Sequence, residues 1–146
     1  METNESCPVS GITINENTAR LTALLVLVLA IVYAFTGSVW IFIVLALDFF
    51  IRGFTSYARY SILGRLAKAF PLKEKSVDAA PKKFAAKLGF TMSLLIVILN
   101  LSGQVTVSIY TTLLLYVFAA LESLAAICVG CYIYTFMQRF KQTANQ

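Results

Sequence analysis

Two long stretches of this sequence are almost free of charge. Residues 21–51 contain one charged side chain, Asp48, and residues 89–137 contain one, Glu122. Between them, residues 52–88 carry nine Lys or Arg against Glu74 and Asp78, a net of +7. A soluble domain covers its surface with roughly 25% charged residues. Here the share is 13%, with 59% hydrophobic residues and a mean hydropathy of +0.79. The 146 residues suffice for one compact unit. The charge-poor stretches therefore belong in lipid, the basic segment belongs beside it, and a soluble hairpin is excluded for want of polar surface.

Turn-forming residues divide the two stretches into helices. Thr36-Gly37-Ser38 separates Leu21–Phe35 from Val39–Ile51, and Leu101-Ser102-Gly103-Gln104 separates Phe84–Asn100 from a long run to about Met137. A helix needs ~20 residues to cross a hydrocarbon core. Polar flanks lengthen the first pair, with Asn15 or Asn17 as a helix cap. The expected fold is an all-α integral membrane bundle of four transmembrane helices, at about 17–36, 39–55, 84–101 and 105–137. Residues 1–16 form a tail, and the whole of 1–146 makes a single domain.

The basic segment is short, so its cations place it in the cytoplasm. With four crossings, both termini face the cytoplasm too, in agreement with Arg139 and Lys141. The first 20 residues are acidic and precede no small-residue cleavage site, unlike a targeting peptide. Within the loop, Tyr57, Tyr60, Leu63, Leu66 and Phe70 recur at helical spacing while Arg59, Arg65 and Lys68 project elsewhere. That pattern predicts an amphipathic interfacial helix over 57–70, its cations facing lipid headgroups. The same reasoning assigns the charge to the bilayer and excludes nucleic acid as a partner. Pro71 ends this helix, while Asp78 and Pro81 mark the start of the next.

Polar residues inside the apolar stretches are costly and face the bundle interior. Asp48 and Arg52 are four apart and share a helix face. Glu122 needs a proton or a partner, for which Arg52 or a neighbouring Ser or Thr is available. The chain has no histidine, so reactive chemistry falls to three cysteines. Cys128-Val129-Gly130-Cys131 places two thiols on one helix face, and Cys7 lies in the tail on the same side of the membrane. Cytosolic thiols are kept reduced, which disfavours a permanent disulfide. The pair can be merely small apolar side chains. It can also cycle electrons, carry sulfur as a persulfide, or with Cys7 hold a soft metal. The metal reading lacks a fourth ligand, and no motif for a cofactor is present.

These residues carry a resemblance. Cys7-Pro8-Val9-Ser10-Gly11 with Ile14-Asn15-Glu16-Asn17 and Arg20, Leu47-Asp48-Phe49-Phe50-Ile51-Arg52, Asp78-Ala79-Ala80-Pro81-Lys82-Lys83-Phe84-Ala85-Ala86, and Leu121-Glu122 with Cys128–Cys131 resemble, in order, the motifs of a bacterial membrane family, domain of unknown function 4395. The resemblance implies a four-helix protein of the bacterial inner membrane, with a thioredoxin-like or sulfurtransferase protein as partner. It includes Cys7, Cys128, Cys131, Asp48, Arg52 and Glu122 in the pattern. Three functions then compete. One is thiol-based redox or sulfur relay through Cys128 and Cys131, with Cys7 as gate or resolving thiol. A second is a carrier for a sulfur-containing or anionic solute along Asp48, Arg52 and Glu122, which requires a homodimer. The third is a non-catalytic partner of a redox protein.

Overall fold

The computed structural model describes residues 13–55, 61–71, 73–125 and 129–145. In chain order the elements are β1 (Thr13–Asn15), α1 (Glu16–Thr36), α2 (Trp40–Phe54), α3 (Ile62–Lys68), β2 (Ser76–Asp78), α4 (Ala79–Leu101), α5 (Val105–Ala125) and α6 (Val129–Ala144). The protein is a helical bundle carrying one small antiparallel ribbon, in which Thr13 pairs with Asp78 and Asn15 with Ser76.

Local chemistry sets the helix ends. The Asn15 side chain accepts a hydrogen bond from the Asn17 amide at 3.0 Å and caps α1. Gly37 ends α1 at φ 64°, and its N–H donates to the Tyr33 carbonyl. Gly103 takes φ 75° in the turn between α4 and α5. Both conformations disfavour any residue with a Cβ, and both glycines fall at the turns expected from sequence.

Helices α1, α4 and α5, with 21, 23 and 21 residues, are long and apolar enough to span a membrane. At 1.5 Å per residue each reaches about 31–35 Å, against a hydrocarbon core of about 30 Å. Large side chains such as Val28, Leu95, Ile98, Leu113 and Val117 point outward from them. Apolar surface of this extent, on helices of spanning length, points to a membrane protein. Helix α2 has only 15 residues and reaches about 22 Å.

Inside the bundle the helices meet through small residues, the usual device where lipid removes any hydrophobic drive between them. A Cβ added at Gly89 would fall 2.8 Å from the Phe49 ring, so the α2 aromatic lies directly on the α4 backbone. Phe42, Leu45 and Ile96 are fully buried in the same core as Phe49. Away from the basic segment, the Asn100 amide donates to Tyr33 Oη at 2.7 Å and to Ser108 Oγ at 2.6 Å, tying α1, α4 and α5 together.

One expected element differs. The interfacial helix is shorter than 57–70: α3 starts after Ser61, whose hydroxyl accepts from the Gly64 amide at 3.0 Å. Leu63 and Ala67 are buried, whereas Leu66 and Phe70 are exposed. Tyr57, Arg59 and Tyr60 lie outside the described residues. Of the expected last helix over 105–137, α5 is described to Ala125 and α6 from Val129, while residues 126–128, with Cys128, lie outside the described residues. By Ala125, α5 has already reached the length of a full crossing. Helix α6 is amphipathic, with Tyr132, Phe136 and Phe140 exposed along one face.

Candidate functional site

The polar residues of the apolar stretches collect at the end of the bundle that carries the basic segment. Asp48, on α2, is buried, and its Oδ1 accepts hydrogen bonds from Ser61 Oγ at 2.7 Å and the Leu63 amide at 3.0 Å. The carboxylate thus holds the first turn of α3, where helix N–H groups lack partners. Its Oδ2 is buried without a hydrogen bond, and Arg52 Nη1 lies 3.7 Å away. The expected Asp48–Arg52 pair is therefore an ion pair without hydrogen-bond contact. Asp48 is committed mainly to the loop.

Glu122 has a partner that the sequence did not suggest. Lys82 Nζ donates to Glu122 Oε1 at 2.8 Å, with both side chains mostly buried. The expected partner, Arg52 or a hydroxyl, is corrected to Lys82. The reason is topological: α4 and α5 are antiparallel about Gly103, so residues some 20 positions either side of the turn come level. Lys82 sits in the opening turns of α4, Glu122 in the closing turn of α5.

Arg52, Lys82 and Glu122 all line one cavity of about 70 Å³. Its walls come from α1, α2, α4 and α5 through residues such as Val26, Phe49, Met92 and Leu115, and α6 closes it with Val129 and Gly130. A cavity of this size accommodates a small polar solute or a few waters. Arg52 also lies over the Phe49 ring at 5.8 Å.

Helix α6 reaches the cavity because Gly130 has no side chain. A Cβ there would lie 2.6 Å from Ala85 Cβ and 2.7 Å from Ala85 Cα, so the two backbones are in contact. Phe84 and Tyr134 add a ring contact at 5.8 Å. The glycine inside the Cys-Val-Gly-Cys motif is thus a packing residue, which the spacing of the cysteines did not reveal.

Cys131 follows directly, in the first turn of α6, and is disulfide-bonded. A reduced thiol was the expectation from its compartment. Cys7 and Cys128, the only other cysteines in the sequence, lie outside the described residues. Among the described residues no cluster of three or more Cys, Asp or Glu is arranged to hold a metal. Arg65 and Lys68 are on the exposed side of α3. The β1–β2 ribbon, braced by Lys75 Nζ to Glu16 Oε2 at 2.8 Å, fastens the start of the described chain to the basic segment.

A family model described as Domain of unknown function (DUF4395) matches residues 14–139. No curated protein and no solved structure matches the chain.

Proposed function

We infer, from the premise that the chain belongs to the Domain of unknown function (DUF4395) family, that it is a membrane-embedded thiol protein in which Cys131 cycles between disulfide and thiol. The observation that carries this reading is the disulfide at Cys131, one residue from the glycine that closes a cavity bearing Arg52 and Lys82. The charge pattern supports a cytoplasmic position for this end. A disulfide facing the cytosol is a transient, catalytic or sensing one.

The chemistry is thiol–disulfide exchange. A thiolate of a partner dithiol attacks Cys131 Sγ, forms a mixed disulfide, and expels the former sulfur partner as a thiolate. The partner's second thiolate then attacks the partner's own sulfur in the mixed disulfide, closes the partner disulfide and expels Cys131 as a thiolate. Two electrons and the accompanying protons pass from partner to chain, and the reverse sequence oxidises the partner. A thioredoxin-like protein has the required dithiol. In sulfur relay, the reduced Cys131 thiolate attacks the outer sulfur of a sulfurtransferase persulfide, expels that protein's cysteine as a thiolate and carries the sulfur as a persulfide.

In this reading α1, α4 and α5 cross the bacterial inner membrane, and α2 completes a fourth crossing with help from its flanks. Both termini are cytoplasmic. Helix α6 lies in the headgroup region, its Tyr132, Phe136 and Phe140 face in the acyl boundary and Lys141 toward anionic lipid. Arg65 and Lys68 of α3 take the same role.

The test is reduction of the purified protein in nanodiscs by a catalytic amount of a thioredoxin-like dithiol with an upstream reductant. Turnover is expected in the wild type and is lost in Cys131→Ser. Equal turnover in the two proteins, or none in either, refutes the reading.

A further inference from the structure

The cavity has more hydrogen-bond donors than its own carboxylates can use. Arg52 makes no hydrogen bond to any described residue; Asp48 Oδ2 lies 3.7 Å from its Nη1. Lys82 directs one N–H to Glu122 Oε1, and the ammonium has further donors. Asp48 Oδ1 is already occupied by Ser61 and Leu63. A guanidinium mostly removed from solvent, with its N–H fork unspent among the described residues, is unusual, because buried charged donors are ordinarily satisfied. Both cations border the same cavity of about 70 Å³, between walls of Phe49, Met92 and Leu115.

We propose that this cavity binds a small oxyanion, held through two of its oxygens by the Arg52 fork and through another by the Lys82 ammonium. The chemical class follows from the groups. An acceptor-only ligand suits walls that offer donors, and the planar fork favours paired oxygens over a halide. The volume limits the ligand to the size of an inorganic oxyanion or a short carboxylate. Glu122 acts as the resident counter-ion of Lys82 and competes with the incoming anion. The ion pair is therefore a gate on the site as well as a link between α4 and α5. This proposal deepens the thiol reading by assigning an anionic solute to the cavity beside Cys131. It rests on that reading only for the use made of the anion, since binding itself requires no thiol.

Sulfate, which leaves thiols and disulfides unchanged, is the probe. Isothermal titration of the full chain in nanodiscs, at constant ionic strength with chloride as the balancing ion, is expected to give saturable binding at about 1 mM or tighter. Arg52→Lys keeps the charge and loses the fork, so affinity falls about tenfold. Glu122→Gln removes the competing charge, so affinity rises by a similar factor, roughly tenfold. A purely structural ion pair predicts no such gain. Helical circular dichroism and a single elution peak establish that each variant is folded. Absence of sulfate binding in the wild type overturns the proposal, as does unchanged affinity in a folded Arg52→Lys or weaker affinity in a folded Glu122→Gln. None of these results alters the reduction assay on Cys131, so the two ideas fail separately.

Discussion

Replacing Gly130 by alanine probes the contact that brings the cysteine motif to the cavity. The added Cβ would start 2.6 Å from Ala85 Cβ and 2.7 Å from its Cα. Carbon atoms pack at about 3.5–4.0 Å, so α6 has to retreat by roughly 1 Å. One of the atoms it meets is backbone, which no rotamer change can move aside. Overpacking of this kind costs about 1–3 kcal/mol. Gly130 is the buried residue of α6, and the Phe84–Tyr134 ring contact is strained by the same displacement. Equilibrium unfolding in mixed micelles is expected to show that loss of stability. Alkylation after mild reduction is expected to show faster labelling of Cys131, because its turn has lifted from Ala85. Full stability and an unchanged labelling rate in Gly130→Ala would refute the reasoning that backbone contact positions this helix.

Removal of the Asp48 carboxylate leaves Ser61 Oγ and the Leu63 amide without their acceptor. Asp48→Ala is therefore expected to cost about 2–4 kcal/mol, and Asp48→Asn, which keeps an accepting oxygen, about half as much; proteolysis near α3 should quicken in the same order. In a cysteine-free background, Ser38→Cys and Gln104→Cys are expected to react with an impermeant maleimide added outside spheroplasts, and Lys75→Cys only after permeabilisation. Labelling of Ser38→Cys only from the cytoplasmic side would remove the crossing by α2. With Trp40→Phe to silence the native indole, Phe136→Trp is expected to emit at short wavelength and to be quenched by lipids brominated near the headgroups. Quenching by iodide alone would place α6 in water.

Much of this architecture was legible because it rests on local chemistry. Gly37 and Gly103 fall where the backbone turns, Asn15 caps the helix that follows it, and Asp48 and Arg52 are neighbours on one helix. What escaped depends on distant residues coming level. Lys82 reads as one more cation of a basic loop until the α4–α5 hairpin sets it opposite Glu122. Asn100, near the apolar turn, gives no sign of its bonds to Tyr33 and Ser108. Strands of three residues, as in β1 and β2, are too short for alternation to show. Gly130 reads as a spacer between cysteines, and only the approach of Ala85 gives it a role.

The central claim, that the Cys131 disulfide is a working redox couple, is tested most directly by trapping its state in living cells. Acid quenching, alkylation with one reagent, reduction and alkylation with a second, followed by peptide mass spectrometry, gives the oxidised fraction of Cys131. The account predicts both forms at steady state, with the fraction rising within minutes of a thiol oxidant and falling after its removal. A Cys131 that stays wholly in one form through both changes would contradict it.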